Sequence, residues 1–153
     1  MYKLLIMDVD GTLTDGKIYM GSNGEVMKVF DVKDGYAITK ILPKLGIIPI
    51  IITGRESDIV KNRAAELGIK HLYQGIHDKL SLMNQIVTQM ECGLDNVIYI
   101  GDDINDLPCL KEVGYSACPA DAADEVKHVC TYVCCNKGGS GAVREVINEI
   151  SDL

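Results

Sequence analysis

Apolar residues fall along this chain in short blocks whose period switches repeatedly between that of a strand and that of a helix. Lys3 to Val9 is an almost continuous apolar, β-prone run that ends at acidic residues, which predicts a buried strand. Between Lys17 and Val32 apolar and polar positions alternate roughly around Ser22-Asn23-Gly24, and Asn-Gly between two such arms predicts a β-hairpin. Asp34 is placed to cap a helix with apolar Ile38, Ile41, Leu42 and Leu45 at helical spacing. Gly46 should end that helix, and Pro43 should kink or shorten it.

Ile47 to Ile52 is almost wholly aliphatic, as a parallel strand covered on both faces must be. Further along, helices are predicted over Ser57–Leu67 (closed by Gly68), Lys79–Met90, Asn105–Glu112, Ala122–Lys127 and Gly141–Ile150. Strands are predicted at His71–Tyr73, Asn96–Ile100, Tyr115–Ala117 and Thr131–Val133. Strand and helix thus alternate, and 153 residues without a repeat or linker fit one domain. The expected fold is α/β: an open, mostly parallel, Rossmann-like sheet with helices on both faces and a hairpin flap at about residues 17–32. In such sheets ligands bind beyond the carboxyl ends of the strands. Asp8 and Asp10, then Thr53-Gly54-Arg55, then Asp102-Asp103 each follow a predicted strand, so distant segments should converge on one edge.

Composition narrows the function classes. With 15 basic and 22 acidic residues the formal net charge is −7, and no Lys/Arg run stands out, which disfavours nucleic acid or an anionic membrane as partner. The apolar N-terminus is interrupted at Asp8, too early for a signal segment, and no segment approaches a membrane span. A cytoplasmic protein is expected. Its six cysteines contain no C-x-x-C pair and read as reduced, small apolar side chains rather than disulfides or a zinc site.

Asp8-Val9-Asp10-Gly11-Thr12 is the most specific stretch. One carboxylate of such a pair can attack phosphorus while the other handles protons, and Gly11 lets the backbone turn and expose amides to an anion. A lone Asp-x-Asp would equally suit two solvated carboxylates. Thr53 and Gly54 offer a hydroxyl and free amides to phosphoryl oxygens, although by themselves they read just as well as a turn opening a helix. Lys79 at a helix start is ordinarily a surface residue; its functional role would be a fixed positive charge for phosphate. Asp102, Asp103 and Asp106 could simply cap the next helix. Electrostatics separates these readings. Five carboxylates crowded at one edge, each pair repelling by roughly 4 kcal/mol at ~4 Å and an effective dielectric of about 20, could not accept a phosphate without a divalent cation. Hard oxygen ligands point to Mg²⁺.

These motifs, in this order, resemble the haloacid dehalogenase superfamily of phosphohydrolases. The resemblance implies that Asp8 is the nucleophile that forms an aspartyl-phosphate and that Asp10 is the general acid and base. It implies phosphate binding by Thr53, Gly54 and Lys79. It assigns Mg²⁺ to Asp8, the Asp10 backbone carbonyl and Asp102, supported by Asp103 and Asp106. The intervals Asp15–Ile52 and Thr53–Lys79 leave no room for a cap domain. Thr14-Asp15-Gly16, Asp31 to Tyr36, Leu72-Tyr73-Gln74-Gly75 and Gly138 to Glu145 match the capless branch that acts on phosphorylated eight- and nine-carbon sugar acids. Members of that branch are tetramers in which one subunit covers the next one's site, so a homotetramer is implied.

The implied substrate is 3-deoxy-D-manno-octulosonate 8-phosphate, with a nonulosonate 9-phosphate as the alternative. Lys33, Arg55 and Arg63 are candidate partners for the sugar-acid carboxylate, each equally readable as a surface charge. The sequence stops at Leu153 without the longer tail of many relatives, which bears on product release. Two other classes compete. A receiver domain would carry its phosphorylated aspartate after a later strand, and a non-catalytic assembly module would not need Asp8, Asp10, Lys79 and Asp102 intact.

Overall fold

The structure, a computed structural model, describes residues 1–152; Leu153 lies outside them. Six parallel strands form the main sheet in the order β5-β4-β1-β6-β7-β8: β1 (Leu4–Met7), β4 (Ile48–Ile52), β5 (His71–Tyr73), β6 (Val97–Ile100), β7 (Tyr115–Cys118) and β8 (Tyr132–Val133). Between β1 and β4 the chain makes a separate antiparallel hairpin, β2 (Tyr19–Gly21) and β3 (Gly24–Met27). The helices are α1 (Val32–Tyr36), α2 (Asp58–Glu66), α3 (Lys79–Gln89), α4 (Leu107–Leu110), α5 (Asp124–Val129) and α6 (Ala142–Ser151).

The unbroken aliphatic runs are explained by two cores, one on each face of the sheet. Leu5, Met7 and Ile51 pack with Ile38, Leu42, Val146 and Ile147, from the helical run after β3 and from α6. Their neighbours Leu4, Ile6, Ile50 and Ile52 point the other way, onto Met83 and Ile86 of α3 and Val126 of α5. Each such side chain removed from water stabilises the fold by about 1.5–3 kcal/mol. Because β1 pairs with β4 on one side and β6 on the other, connections diverge from it, and a crevice opens beyond its carboxyl end.

The expected helix from Asp34 to Leu45 is not one helix. Asp31 is its N-cap, accepting from the amides of Lys33 (2.6 Å) and Asp34 (3.2 Å). Asp34 lies inside α1, buried, and its Oδ1 accepts from the Arg144 amide (2.8 Å) in the first turn of α6. Past Tyr36 the coil widens to a π turn (Ala37–Ile41) and then tightens to a 3₁₀ turn (Leu42–Leu45), since Pro43 has no N–H to continue an α-helix. Likewise the helix expected at Asn105–Glu112 is a 3₁₀ turn (Ile104–Asp106) followed by the single turn of α4, with Pro108 at its start. The hairpin is shorter than residues 17–32, because the chain leaves β3 at Met27 and turns Lys28 inward.

Only the hairpin and this helical run lie between β1 and β4, and only α2 between β4 and β5, so no cap domain is inserted. Among the described residues no helix is long and apolar enough to cross a membrane.

Candidate active site

Asp8 is the first residue past β1, and its amide still donates to the Ile100 carbonyl (3.0 Å), which fixes it at the sheet edge. The chain then winds around the Val9 carbonyl, which accepts from the amides of Thr12, Leu13 and Thr14 at 2.9–3.2 Å. Gly11 makes that turn with φ +89°, and a Cβ there would stand 1.9 Å from the Asp102 Oδ2, so only glycine fits. From the far end of the sequence, Gly138 and Gly139 press on the same loop. The Gly139 amide donates to the Thr12 carbonyl (3.2 Å), and a Cβ on Gly138 would lie 1.9 Å from the Gly11 carbonyl oxygen.

Beneath the crevice lies a buried charge network. Asp78 caps α3, accepting from the Ser81 amide (3.0 Å), and so places Lys79 in the first turn with its ammonium under the sheet edge. Lys79 Nζ is 3.1 Å from Asp8 Oδ1 and 2.8 Å from Asp106 Oδ1. Asp106, fully buried, also accepts from the Tyr99 hydroxyl (2.7 Å) and from the amides of Asp102 (3.1 Å) and Asp103 (3.4 Å). Both of its oxygens are therefore engaged by protein donors, and its work is to hold Lys79 and the Asp102 loop in place.

Carboxylate oxygens of Asp8, Asp102 and Asp106 come within 4.8 Å of one another. Burial, then the negative charge of Asp106, holds the Asp8 carboxyl above the usual carboxylate range, against the pull of Lys79. Asp102 is raised too, by burial and then by Asp8; the Thr12 hydroxyl, donating to its Oδ1 (3.3 Å), offsets this only in part. One lysine is too little positive charge for this cluster. Oxygen donors crowded in this way fit a hard divalent cation, which Asp8 and Asp102 could hold, Asp106 being already occupied.

Above this floor a cleft of about 280 Å³ is lined by Asp8, Asp10, Thr53, Gly54, Arg55, His77, Asp103 and Asn105. Thr53 is buried and pinned by its backbone, its amide donating to the Tyr73 carbonyl (3.0 Å) and its carbonyl accepting from Ile76 (3.1 Å). The expected residues Asp8, Asp10, Thr53, Gly54, Arg55, Lys79, Asp102, Asp103 and Asp106 are thus gathered at one edge. Two others lie elsewhere in this chain. Lys33 is exposed in α1, beside Val32, Tyr36 and Arg144. Arg63 turns toward α1, bonding the Asp31 carbonyl (3.4 Å) and Glu66 (3.0 Å) with its guanidinium 5.3 Å from the Phe30 ring centre.

Sequence reasoning missed His77, Asn105, Tyr99 and Lys28. His77, two residues before Lys79, and Asn105, beside Asp106, are legible as neighbours of motif residues. Tyr99 looked like any strand residue. Lys28, whose Nζ lies 2.5 Å from Asp10 Oδ1 and whose side chain is 1% exposed, carried no local signal, because the hairpin folds it inward.

A family model for haloacid dehalogenase-like hydrolases matches residues 72–147, from β5 into α6. The 3-deoxy-D-manno-octulosonate 8-phosphate phosphatase KdsC of Escherichia coli K12 is 47% identical over 144 residues, 94% of this chain and 76% of that protein. The Yersinia pestis enzyme of the same name is 46% identical over 97% of this chain and 79% of its own length. The crystal structure of the Moraxella catarrhalis phosphatase, in complex with magnesium, phosphate and KDO, superposes with a TM-score of 0.94 at 41% identity, covering 99% of this chain and 86% of that one.

Proposed function

Since the chain belongs to the haloacid dehalogenase-like hydrolases, together with the KdsC phosphatases, we propose that it is a Mg²⁺-dependent phosphomonoesterase of 3-deoxy-D-manno-octulosonate 8-phosphate, built as a single domain. The observation that carries this reading is Asp8 on the floor of the cleft, bonded to the buried Lys79 and set against Asp102. Asp8 attacks phosphorus as the ester P–O bond breaks, and Asp10 gives its proton to the departing sugar oxygen. Asp10 then takes a proton from the water that attacks the aspartyl-phosphate, releasing phosphate and restoring Asp8. The Thr53 hydroxyl, the Gly54 amide and Lys79 bind the non-bridging oxygens. Mg²⁺, when bound, offsets the charge gathered between the phosphate and Asp8, Asp102 and the Asp10 carbonyl.

Arg55 and His77 stand at the mouth of the cleft, where the sugar-acid carboxylate can meet Arg55. In a cleft this open, water exclusion and selectivity fall to a neighbouring subunit. Support for that comes from the hairpin, α1 and the segment between them, which expose Met20, Val26, Met27, Val29, Val32 and Tyr36. A homotetramer buries this surface, and Lys33 and Arg63 bear on substrate only across such a contact. A cytoplasmic location accords with a water-soluble sugar phosphate as substrate.

The decisive measurement is kcat/KM with Mg²⁺ over a panel of phosphorylated sugar acids. The octulosonate 8-phosphate should exceed nonulosonate 9-phosphates by at least about tenfold. The reverse order overturns the substrate, and no hydrolysis of any ester overturns the activity.

A further inference from the structure

We propose that Lys28 is the positioning residue for Asp10, and that through it the β2–β3 hairpin sets the orientation of the general acid. The inference rests on the phosphatase reading above and adds a residue to its machinery. The hairpin pairs with no strand of the main sheet, and a lone two-stranded ribbon is marginally stable, so something must dock it to the body. Lys28, the first residue past β3, turns back under the hairpin with its side chain 1% exposed. Its ammonium binds Asp10 Oδ1 (2.5 Å) on the site side and Glu25 Oε2 (2.9 Å) on the hairpin side.

Asp10 is otherwise free to turn. Its side chain is 20% exposed, and no other described side chain bonds its carboxylate. Lys28 claims one oxygen, Oδ1, and leaves Oδ2 as the atom that meets the leaving oxygen. Proton transfer demands heavy-atom approach within hydrogen-bond reach, and a misplacement of about 1 Å costs about a hundredfold. Lys28 does not line the cleft itself, so its effect passes through Asp10 rather than through substrate.

The test compares two esters that need the general acid to different degrees. Octulosonate 8-phosphate expels a poor alkoxide and needs the proton; p-nitrophenyl phosphate expels a good leaving group and hardly does. With Mg²⁺ present, Lys28→Met should lower kcat/KM about 10- to 100-fold for the sugar phosphate and less than about threefold for the aryl ester. Lys28→Arg should recover most of the loss. In an Asp10→Asn background, adding Lys28→Met should change the sugar-phosphate rate by less than about twofold, because the partner is already disabled. If Lys28→Met does not fold, Lys28→Gln, which keeps a donor without the charge, should give the same unequal loss.

Equal losses on both esters, or losses that multiply with Asp10→Asn, overturn the proposal in favour of a merely structural or substrate-binding lysine. A wild-type protein inert toward both esters overturns the phosphatase reading instead, so the two failures are distinguishable.

Discussion

The floor of the site and its rim are built on opposite principles. On the floor, Lys79 and Asp106 are nearly inaccessible, and Asp106 has both oxygens committed to Lys79, Tyr99 and two backbone amides. At the rim, Asp103, Asn105 and His77 are exposed, and the nearby hairpin shows apolar side chains to solvent. The floor is fixed by the same packing that makes the sheet, so its chemistry survives changes at the surface. The rim is open to solvent, so under the proposed function selectivity would depend on what covers it.

The strongest way to break this contrast is Asp8→Asn, which should lower turnover by about 10⁴-fold or more while leaving the thermal melt nearly unchanged. Phosphate release at a rate near wild type would remove Asp8 as nucleophile. Next, Lys79→Met leaves the buried Asp106 charge without its cation and should destabilise the fold by about 3–5 kcal/mol in urea unfolding. A loss below about 1 kcal/mol would mean that the floor is not held by this pair.

Asp34 sharpens the comparison, because it is buried away from the site with one oxygen, Oδ2, unpartnered. Burial, partly offset by the Arg144 amide, pushes its carboxyl up to about 6. A folded pKa above the unfolded one contributes stability that is complete below the unfolded value and lost as pH rises through the folded value. Asp34→Asn should therefore gain on wild type by about 2–3 kcal/mol between pH 4 and pH 7.5, read from paired denaturation curves. A gap that does not change with pH would show that Asp34 ionises as easily folded as unfolded. Smallest of all, Arg55→Ala at the rim should raise KM for the sugar phosphate about tenfold and leave kcat within about threefold. A matching fall in kcat would make Arg55 part of the floor's chemistry rather than of selection.

What could be read from the amino acids follows the same division. β1, β4 and β6 are legible because both of their faces are buried, which forces aliphatic runs, and the acids of the candidate site are legible because they end those runs beside glycine. The cap of α1 is not legible because Asp31 and Asp34 look alike in sequence, and the buried place of Asp34 depends on packing against α6, where the Arg144 amide, 110 positions away, meets it. Charge alone points to Lys33 and Arg63, but the direction a helix gives its side chains depends on what packs beside it. Lys28 was invisible for a related reason, since a lysine beyond a hairpin declares nothing until the hairpin folds back.

The pressure of Gly138 and Gly139 on the Gly11 turn has a consequence for the order of synthesis. The ribosome makes Asp8 and the Gly11 turn well before the diglycine loop that presses on them. While the strands between them are being made, a growing chain therefore holds Asp8 on a turn whose buttress does not yet exist. In nascent chains stalled on C-terminal extensions of increasing length, activity should arrive abruptly, once the diglycine has left the exit tunnel.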